Sequence, residues 1–235
     1  MTFSIAGFCG RTGQVGVAVA TFSLACGARA HAAGGRGAIM SQGYASPHLG
    51  ALGIHLLREE GLSAPQAMDR LRAADPDFAW RQISLVNGAG RAIGHTGPRT
   101  RPWSGQAEGR HCVACGNVLL GEGVVRSMIA AFEAAAGEPL AERLLRALEG
   151  ARAAGGQHGP EGPIPERSAG LKVAAPGELH LSRDLRVDLS DSAIVALRGV
   201  AETFEDYAPF YEMRWRRPAE TPSQRDWQHR LDAGR

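Results

Sequence analysis

Met1-Thr2-Phe3-Ser4-Ile5-Ala6-Gly7-Phe8-Cys9 opens the chain, followed by Gly10-Arg11-Thr12-Gly13 and then Gln14-Val15-Gly16-Val17-Ala18-Val19-Ala20. The first run alternates apolar and small residues, the pattern of a half-buried strand. The second is a β-branched run of strand length, and the Gly-containing link between them reads as a hairpin turn. Methionine before a small residue is ordinarily trimmed, which leaves Thr2 with a free α-amine at a strand edge. A hydroxyl nucleophile and a base of pKa ~8 then share one residue. The alternative is that Thr2 is only the first residue of an edge strand.

Beyond the hairpin, Ala38 to Gln42 reads as a third strand, reached through an Ala/Gly loop that ends at Gly37. His48 to Glu59 carries apolar residues at helical spacing, and Gly61 closes that helix. A second helix starts at Ser63, with Pro65 in its first turn and Gln66 three after the cap, and ends at Asp75-Pro76. Strands Trp80 to Val86 and Arg91 to Gly97 flank the turn Asn87-Gly88-Ala89-Gly90. His111 to Val118 is a further strand. Helices are expected from Gly123 to Ala136 and from Pro139 to Ala153, and strands from Ala169 to Ala174 and from Glu178 to Val187. Helices thus come in pairs between hairpin-connected strands, not singly between parallel ones. That order predicts an α+β fold with antiparallel sheets, a four-layer αββα sandwich over residues 1–200. From Ala201 the composition turns aromatic and charged, so 201–235 reads as an extension: a helix, an oligomer (dimer) arm or a partly disordered tail.

Composition narrows the function classes. The 235 residues are 44% hydrophobic and 21% charged, ample for a core, and the net charge is only +2. Charge therefore offers no case for nucleic-acid binding. No apolar run approaches the ~18–20 residues of a membrane span, and no signal peptide is visible. Four cysteines (Cys9, Cys26, Cys112 and Cys115) in a chain of this length predict reduced thiols and a cytoplasmic protein. Aromatic residues after Tyr207 predict a homo-oligomer, a dimer, since such residues are enriched at interface cores.

The chain resembles the DUF1028 family of bacterial proteins from about Thr2 to Ser190. The resemblance rests on Thr2-Phe3-Ser4-Ile5, Gly13 to Ala20, Gln42 to Pro47, Ala74-Asp75-Pro76, His95-Thr96-Gly97 and Gly116-Asn117-Val118-Leu119. It also rests on Gly137 to Leu145 and Asp184 to Asp188. It implies an Ntn-hydrolase-like αββα fold. Ala45-Ser46-Pro47 and Pro165-Glu166-Arg167-Ser168 depart from the family pattern, which points to a different substrate or a drifted site. The lysine that proteasome-like members of the wider superfamily keep near the nucleophile has no counterpart, because the only lysine, Lys172, lies in another strand.

With that fold, Thr2 becomes the candidate nucleophile, its own α-amine taking the proton. Asn117, at the end of a strand, is the candidate donor to an oxyanion. Ser4 shares the face of Thr2 by the period of two and is a rival nucleophile or a pocket residue. Gln42, His95, Arg167 and Ser168 are candidate substrate-binding residues, Arg167 through the carboxylate-matching fork of its guanidinium. The substrate class is a small-molecule or short peptide amide. No cofactor and no metal is expected: Cys112 and Cys115 stand three apart on a strand and point to opposite faces, so they cannot chelate one ion. Two other readings remain open, a catalytically silent ligand- or partner-binding protein and a cyclohydrolase-like enzyme working through side chains.

Overall fold

The computed structural model describes residues 1–234. The opening hairpin is present as β1 (Thr2–Phe8) and β2 (Val15–Thr21), followed by β3 (Ala30–Ala33) and β4 (Gly37–Gly43). Two helices come next, α1 (Pro47–Arg58) and α2 (Ala64–Ala74), and then β5 (Arg81–Asn87), β6 (Ala92–Thr96), β7 (Ser104–Gly109) and β8 (Cys112–Asn117). A second helix pair, α3 (Glu122–Ala134) and α4 (Leu140–Ala153), precedes the short β9 (His158–Gly159) and β10 (Gly162–Pro163). The chain continues through β11 (Ser168–Ala174), β12 (Arg183–Val187), α5 (Ala193–Arg216) and α6 (Gln224–Ala233). The protein is a mixed α+β fold. Its main sheets are antiparallel, one of six strands in the order β12-β11-β2-β1-β8-β7 and one of four in the order β3-β4-β5-β6.

The period of two along β1 sorts its side chains between two cores. Phe3 and Ile5 join Val125, Met128 and Phe132 of α3 and Leu144 and Leu148 of α4 in one apolar cluster. Ala6 faces the other way, into a cluster of small residues from both sheets that includes Val17, Val19, Ala38, Met40, Val113 and Cys115. On the far side of the four-stranded sheet, Ile39, Ile83 and Leu85 pack against Leu49, Leu56, Met68 and Leu71 of α1 and α2. Cys112 belongs to the α3/α4 cluster and Cys115 to the one between the sheets.

Gly7 and Gly16 pair across β1 and β2. A Cβ on Gly7 would come within 2.7 Å of the Phe132 ring, and one on Gly16 within 2.7 Å of Leu144. The bare strand pair is thus what lets α3 and α4 lie so close to the sheet. At the other end of this core, α5 contributes Ala193, Ile194 and Leu197. Arg198 then clamps α5 to α4 through Glu142 at 2.5 Å and Glu149 at 2.8 Å. Helix α5 runs without a break through position 200. Phe210 is buried beside Trp227 of α6, at 5.6 Å between ring centroids.

Several expectations need correction. β1 is an interior strand between β2 and β8, so Thr2 is not on an edge. The loop before Gly37 contains β3, and β7 was not foreseen. Neither Ala-His-Ala-Ala nor Ser-Gly-Gln-Ala-Glu-Gly has strand propensity of its own, and each is held by a stronger neighbour, β4 and β8 respectively. The strand expected from Glu178 begins only at Arg183, after a turn at Pro176-Gly177. Among the described residues no helix is long and apolar enough to cross a membrane.

Phe132 is fully buried against the Gly7 gap, so Phe132→Ala leaves a cavity that Gly7, with no side chain, cannot fill. We expect a loss of about 3–5 kcal/mol, read by urea denaturation.

Candidate functional site

Thr2 pairs with Thr21 on one side and Asn117 on the other. Thr21 pairs on with Ser168 and Asn117 with Ser104. Cross-strand partners share a face, so Ser168, Thr21, Thr2, Asn117 and Ser104 form one polar row across the end of five strands. The row lies on the face of Ser4 and Ala6, toward the second sheet. There it meets another row, because Gln42, Gln82 and Thr96 pair across β4, β5 and β6.

Gln82 joins the two rows. Its Oε1 accepts from Asn117 Nδ2 at 2.9 Å and from Gln42 Nε2 at 2.8 Å. Its Nε2 donates to the Gly116 carbonyl at 2.8 Å and to Thr96 Oγ1 at 3.0 Å. Thr96 in turn donates to Gln106 Oε1 at 2.9 Å. Gln82, Gln42 and Asn117 are all at most 1% exposed, a setting in which polar groups need partners. Gln42 Oε1 is the one buried side-chain polar atom left without a hydrogen bond among the described residues.

Thr2 is 8% exposed. Its Oγ1 donates to the Met1 carbonyl at 2.6 Å and lies 3.0 Å from Thr21 Oγ1, which also donates to that carbonyl. Met1 therefore stands directly in front of the Thr2 hydroxyl. Its α-amine is driven down to a pKa of about 6, first by burial and then by the positive charges of Arg101 and Arg29. Near neutral pH this terminus is mainly an uncharged amine, able to accept a proton.

The structure brings Thr2, Asn117 and Gln42 into this group and sets other candidates apart. Ser4 is wholly buried and bonded to Ser84 Oγ of the second sheet at 3.0 Å. Ser168 ends the polar row, but it donates to the Ser23 carbonyl at 2.7 Å and accepts from the Cys26 N–H at 3.1 Å, tying down a loop. Arg167 lies over the Phe22 ring at 5.1 Å. His95 pairs with Ile83, on the helix-facing side of the second sheet, and stacks on Phe78 at 4.2 Å. Burial lowers its pKa.

Thr21 and Gln82 escaped the sequence reading. Extending the register of the opening hairpin would have placed Thr21 beside Thr2. Gln82 and Ser84 alternate with apolar residues on a strand that the order of elements makes interior, the mark of a polar face turned inward. Among the described residues no three His, Cys, Asp or Glu side chains gather as a metal ion requires.

A model of the DUF1028 family, described as a family of unknown function, matches residues 2–197. The chain belongs to that family. Protein SPO2555 from Silicibacter pomeroyi, another DUF1028 protein with a crystal structure, is 28% identical with a TM-score of 0.77, over 88% of this chain and 89% of that one. Two Anbu (ancestral β-subunit) structures are far looser matches. The one from Yersinia bercovieri is 11% identical with a TM-score of 0.42, over 87% of this chain and 93% of that one. The Gly-1 mutant from Hyphomicrobium sp. strain MC1 is 12% identical with a TM-score of 0.39, over 88% and 94%. Likeness at that level carries no argument about this DUF1028 chain. Comparison with curated proteins yields no match.

Two measurements check the site. Gln82→Leu strips Asn117, Gln42 and the Gly116 carbonyl of their shared partner, and each orphaned group costs about 1–3 kcal/mol. Denaturant unfolding should therefore show a loss of about 3 kcal/mol or more. In protein that retains Met1, trace acetylation followed against pH should titrate the α-amine near pH 6, with Lys172 as internal reference. A midpoint near 8 would mean that the amine is solvated and the site open.

Proposed function

We propose that this DUF1028 protein is a four-layer αββα amidohydrolase of the N-terminal-nucleophile type, acting on a small-molecule or short peptide amide. One observation carries the reading. The Thr2 hydroxyl is held in a buried polar row, directly behind the terminal residue, with an amine of depressed pKa beside it. Removing Met1 would put hydroxyl and amine on one residue. The packing of two sheets between two helix pairs supports the fold assignment, together with the family resemblance.

In this mechanism Thr2 Oγ1 attacks the amide carbon while the α-amine of Thr2 accepts the hydroxyl proton. The Met1 carbonyl marks where a carbonyl oxygen fits, within reach of the Thr21 hydroxyl, so Thr21 is a donor to the developing oxyanion. Asn117 has two amide hydrogens and Gln82 accepts one, which leaves a second for the same role. The protonated amine then gives its proton to the leaving nitrogen. Water, deprotonated by the same amine, hydrolyses the Thr2 ester and restores the enzyme. Gln42 and Gln82 hold Asn117 in place and take no proton.

The catalytically silent reading has one observation in its favour: Met1 is well accommodated, its carbonyl taking two hydroxyl donors. Intact mass of the native protein, paired with an amide library, decides between them. We expect a chain beginning at Thr2. Thr2→Ala should lose on the order of a thousandfold or more in kcat/KM, and Thr21→Val about a hundredfold. Activity should rise with pH as the Thr2 amine loses its proton and level off once that amine is neutral, since only the neutral amine is a base. A native chain that keeps Met1 and cleaves nothing overturns the proposal in favour of ligand binding.

A further inference from the structure

β6 and β7 are the last strands of their sheets, and Gln106 of β7 reaches across to Thr96 and to the Gly94 carbonyl of β6. Between these two sheet edges lies a slot of about 500 Å3, within the range of small-molecule sites. Thr96, Ser104 and Gln106 line it, and Gly94, Gly97 and Gly105 leave the backbone of both edges bare. Among the described residues that line it there is no Asp, Glu, Lys or Arg. His95 takes part, but its ring is stacked on Phe78, on the helix-facing side of the second sheet. The slot is polar without being charged.

The hydrogens in it are assigned by the acceptors around them. Thr100 Oγ1 donates its one hydrogen to the Gly97 carbonyl at 2.7 Å, so in its 2.8 Å contact with Ser104 Oγ it is Ser104 that donates. The Ser104 hydroxyl has thereby spent its hydrogen and keeps an acceptor lone pair. Gln106 Nε2 donates to the Gly94 carbonyl at 2.9 Å while Oε1 accepts from Thr96, which uses one of the two amide hydrogens. A spare acceptor and a spare donor therefore stand two residues apart on one face of β7, about 6–7 Å along the strand. A carboxamide answers both at once, its N–H to Ser104 Oγ and its carbonyl to the second Gln106 hydrogen. A carboxylate has no donor for Ser104 and brings a charge that nothing in the lining matches.

The wall of the slot is also the end of the network that holds Asn117. Thr96 accepts from Gln82 Nε2 at 3.0 Å, and Gln82 Oε1 accepts from Asn117 Nδ2 at 2.9 Å. We propose that the slot between β6 and β7 binds an uncharged carboxamide, a primary amide or the peptide bond of a short neutral segment, between Ser104 and Gln106, and that its occupant is linked through Thr96 and Gln82 to Asn117. The site does not rest on the hydrolase reading.

The test needs no turnover. Amide resonances of the isotopically labelled full-length protein are followed by nuclear magnetic resonance while propionamide, sodium propionate or N,N-dimethylpropionamide is added at constant ionic strength. Propionamide should shift Ser104, Gly105 and Gln106 saturably, and the Asn117 side-chain amide should follow with the same midpoint. N,N-Dimethylpropionamide keeps the carbonyl but has no N–H, so it should bind about tenfold more weakly, the weight of one hydrogen bond. Propionate should leave these resonances unmoved. Ser104→Ala leaves Thr100 its Gly97 partner and should weaken propionamide binding about tenfold. Gln106→Met should abolish it; this change also strips Thr96 and Gly94 of a partner, so Ser104→Ala decides the matter if that variant does not fold. Absence of saturable shifts at Ser104 and Gln106, equal binding of either control compound, or an unchanged midpoint in Ser104→Ala would overturn the site. An Asn117 amide unmoved at saturation would overturn the link. Saturable binding in a protein that cleaves no amide would leave the site standing and sink the hydrolase reading, and Thr2-dependent cleavage with no binding here would do the reverse.

Discussion

The two sheets can meet at the Thr2 end only because each supplies the hydrogen-bonding groups that the other lacks. Apolar packing joins them elsewhere through small residues such as Ala6, Ala38 and Cys115. Toward Thr2 the interface turns polar and stays buried, where an unmatched donor or acceptor is expensive. Gln82 resolves this by accepting from one sheet's Asn117 and its own sheet's Gln42 while donating to a backbone carbonyl of β8. The position of Asn117 relative to Thr2 follows from that arrangement and from strand register, not from a loop free to move.

The helix layers have a simpler logic. Large side chains are concentrated on the helix-facing sides, Phe3 and Ile5 against α3 and α4, Ile39 and Leu85 against α1 and α2. Smaller apolar side chains, such as Ala6, Ala38, Val17 and Val113, and uncharged polar groups lie between the sheets. This division lets the strands approach closely enough for Ser4 to reach Ser84 and for Cys115 Sγ to reach the Ile83 carbonyl at 3.3 Å. Burial holds the Cys26 and Cys112 thiols up at about 11 and about 12, so both stay protonated in these cores.

Much of this was legible in the chain because local signals agreed with the final packing. The alternation in β1, the Asn87 to Gly90 turn and the Ser63/Gln66 helix start each describe what formed, and Gln66 Oε1 accepts the Ser63 N–H at 3.0 Å. What stayed hidden depends on partners distant in sequence. β3 and β7 have no propensity and exist by pairing. His95 looked available at a strand end, yet its parity on β6 sends it to the helix side, a fact fixed only by the register against β5. Arg167 lies over the Phe22 ring and Ser168 holds the Cys26 loop, contacts that no local signal in the chain announces. Thr21 and Gln82 carry no motif, and their importance comes from what they face.

The central place of β1 also sets an order of events at the ribosome. β1 and β2 are synthesised before the strands that flank them and can close their hairpin early, yet β1's other neighbour is β8, with Thr2 opposite Asn117. β2 waits longer still for β11, where Thr21 meets Ser168. The nascent hairpin therefore has both outer edges unpaired until β8 is made, open to association with other chains. Its helix-facing surface is also bare until α3 and α4 emerge. Gly7 and Gly16, which later admit Phe132 and Leu144, weaken the hairpin's intrinsic strand tendency during that interval.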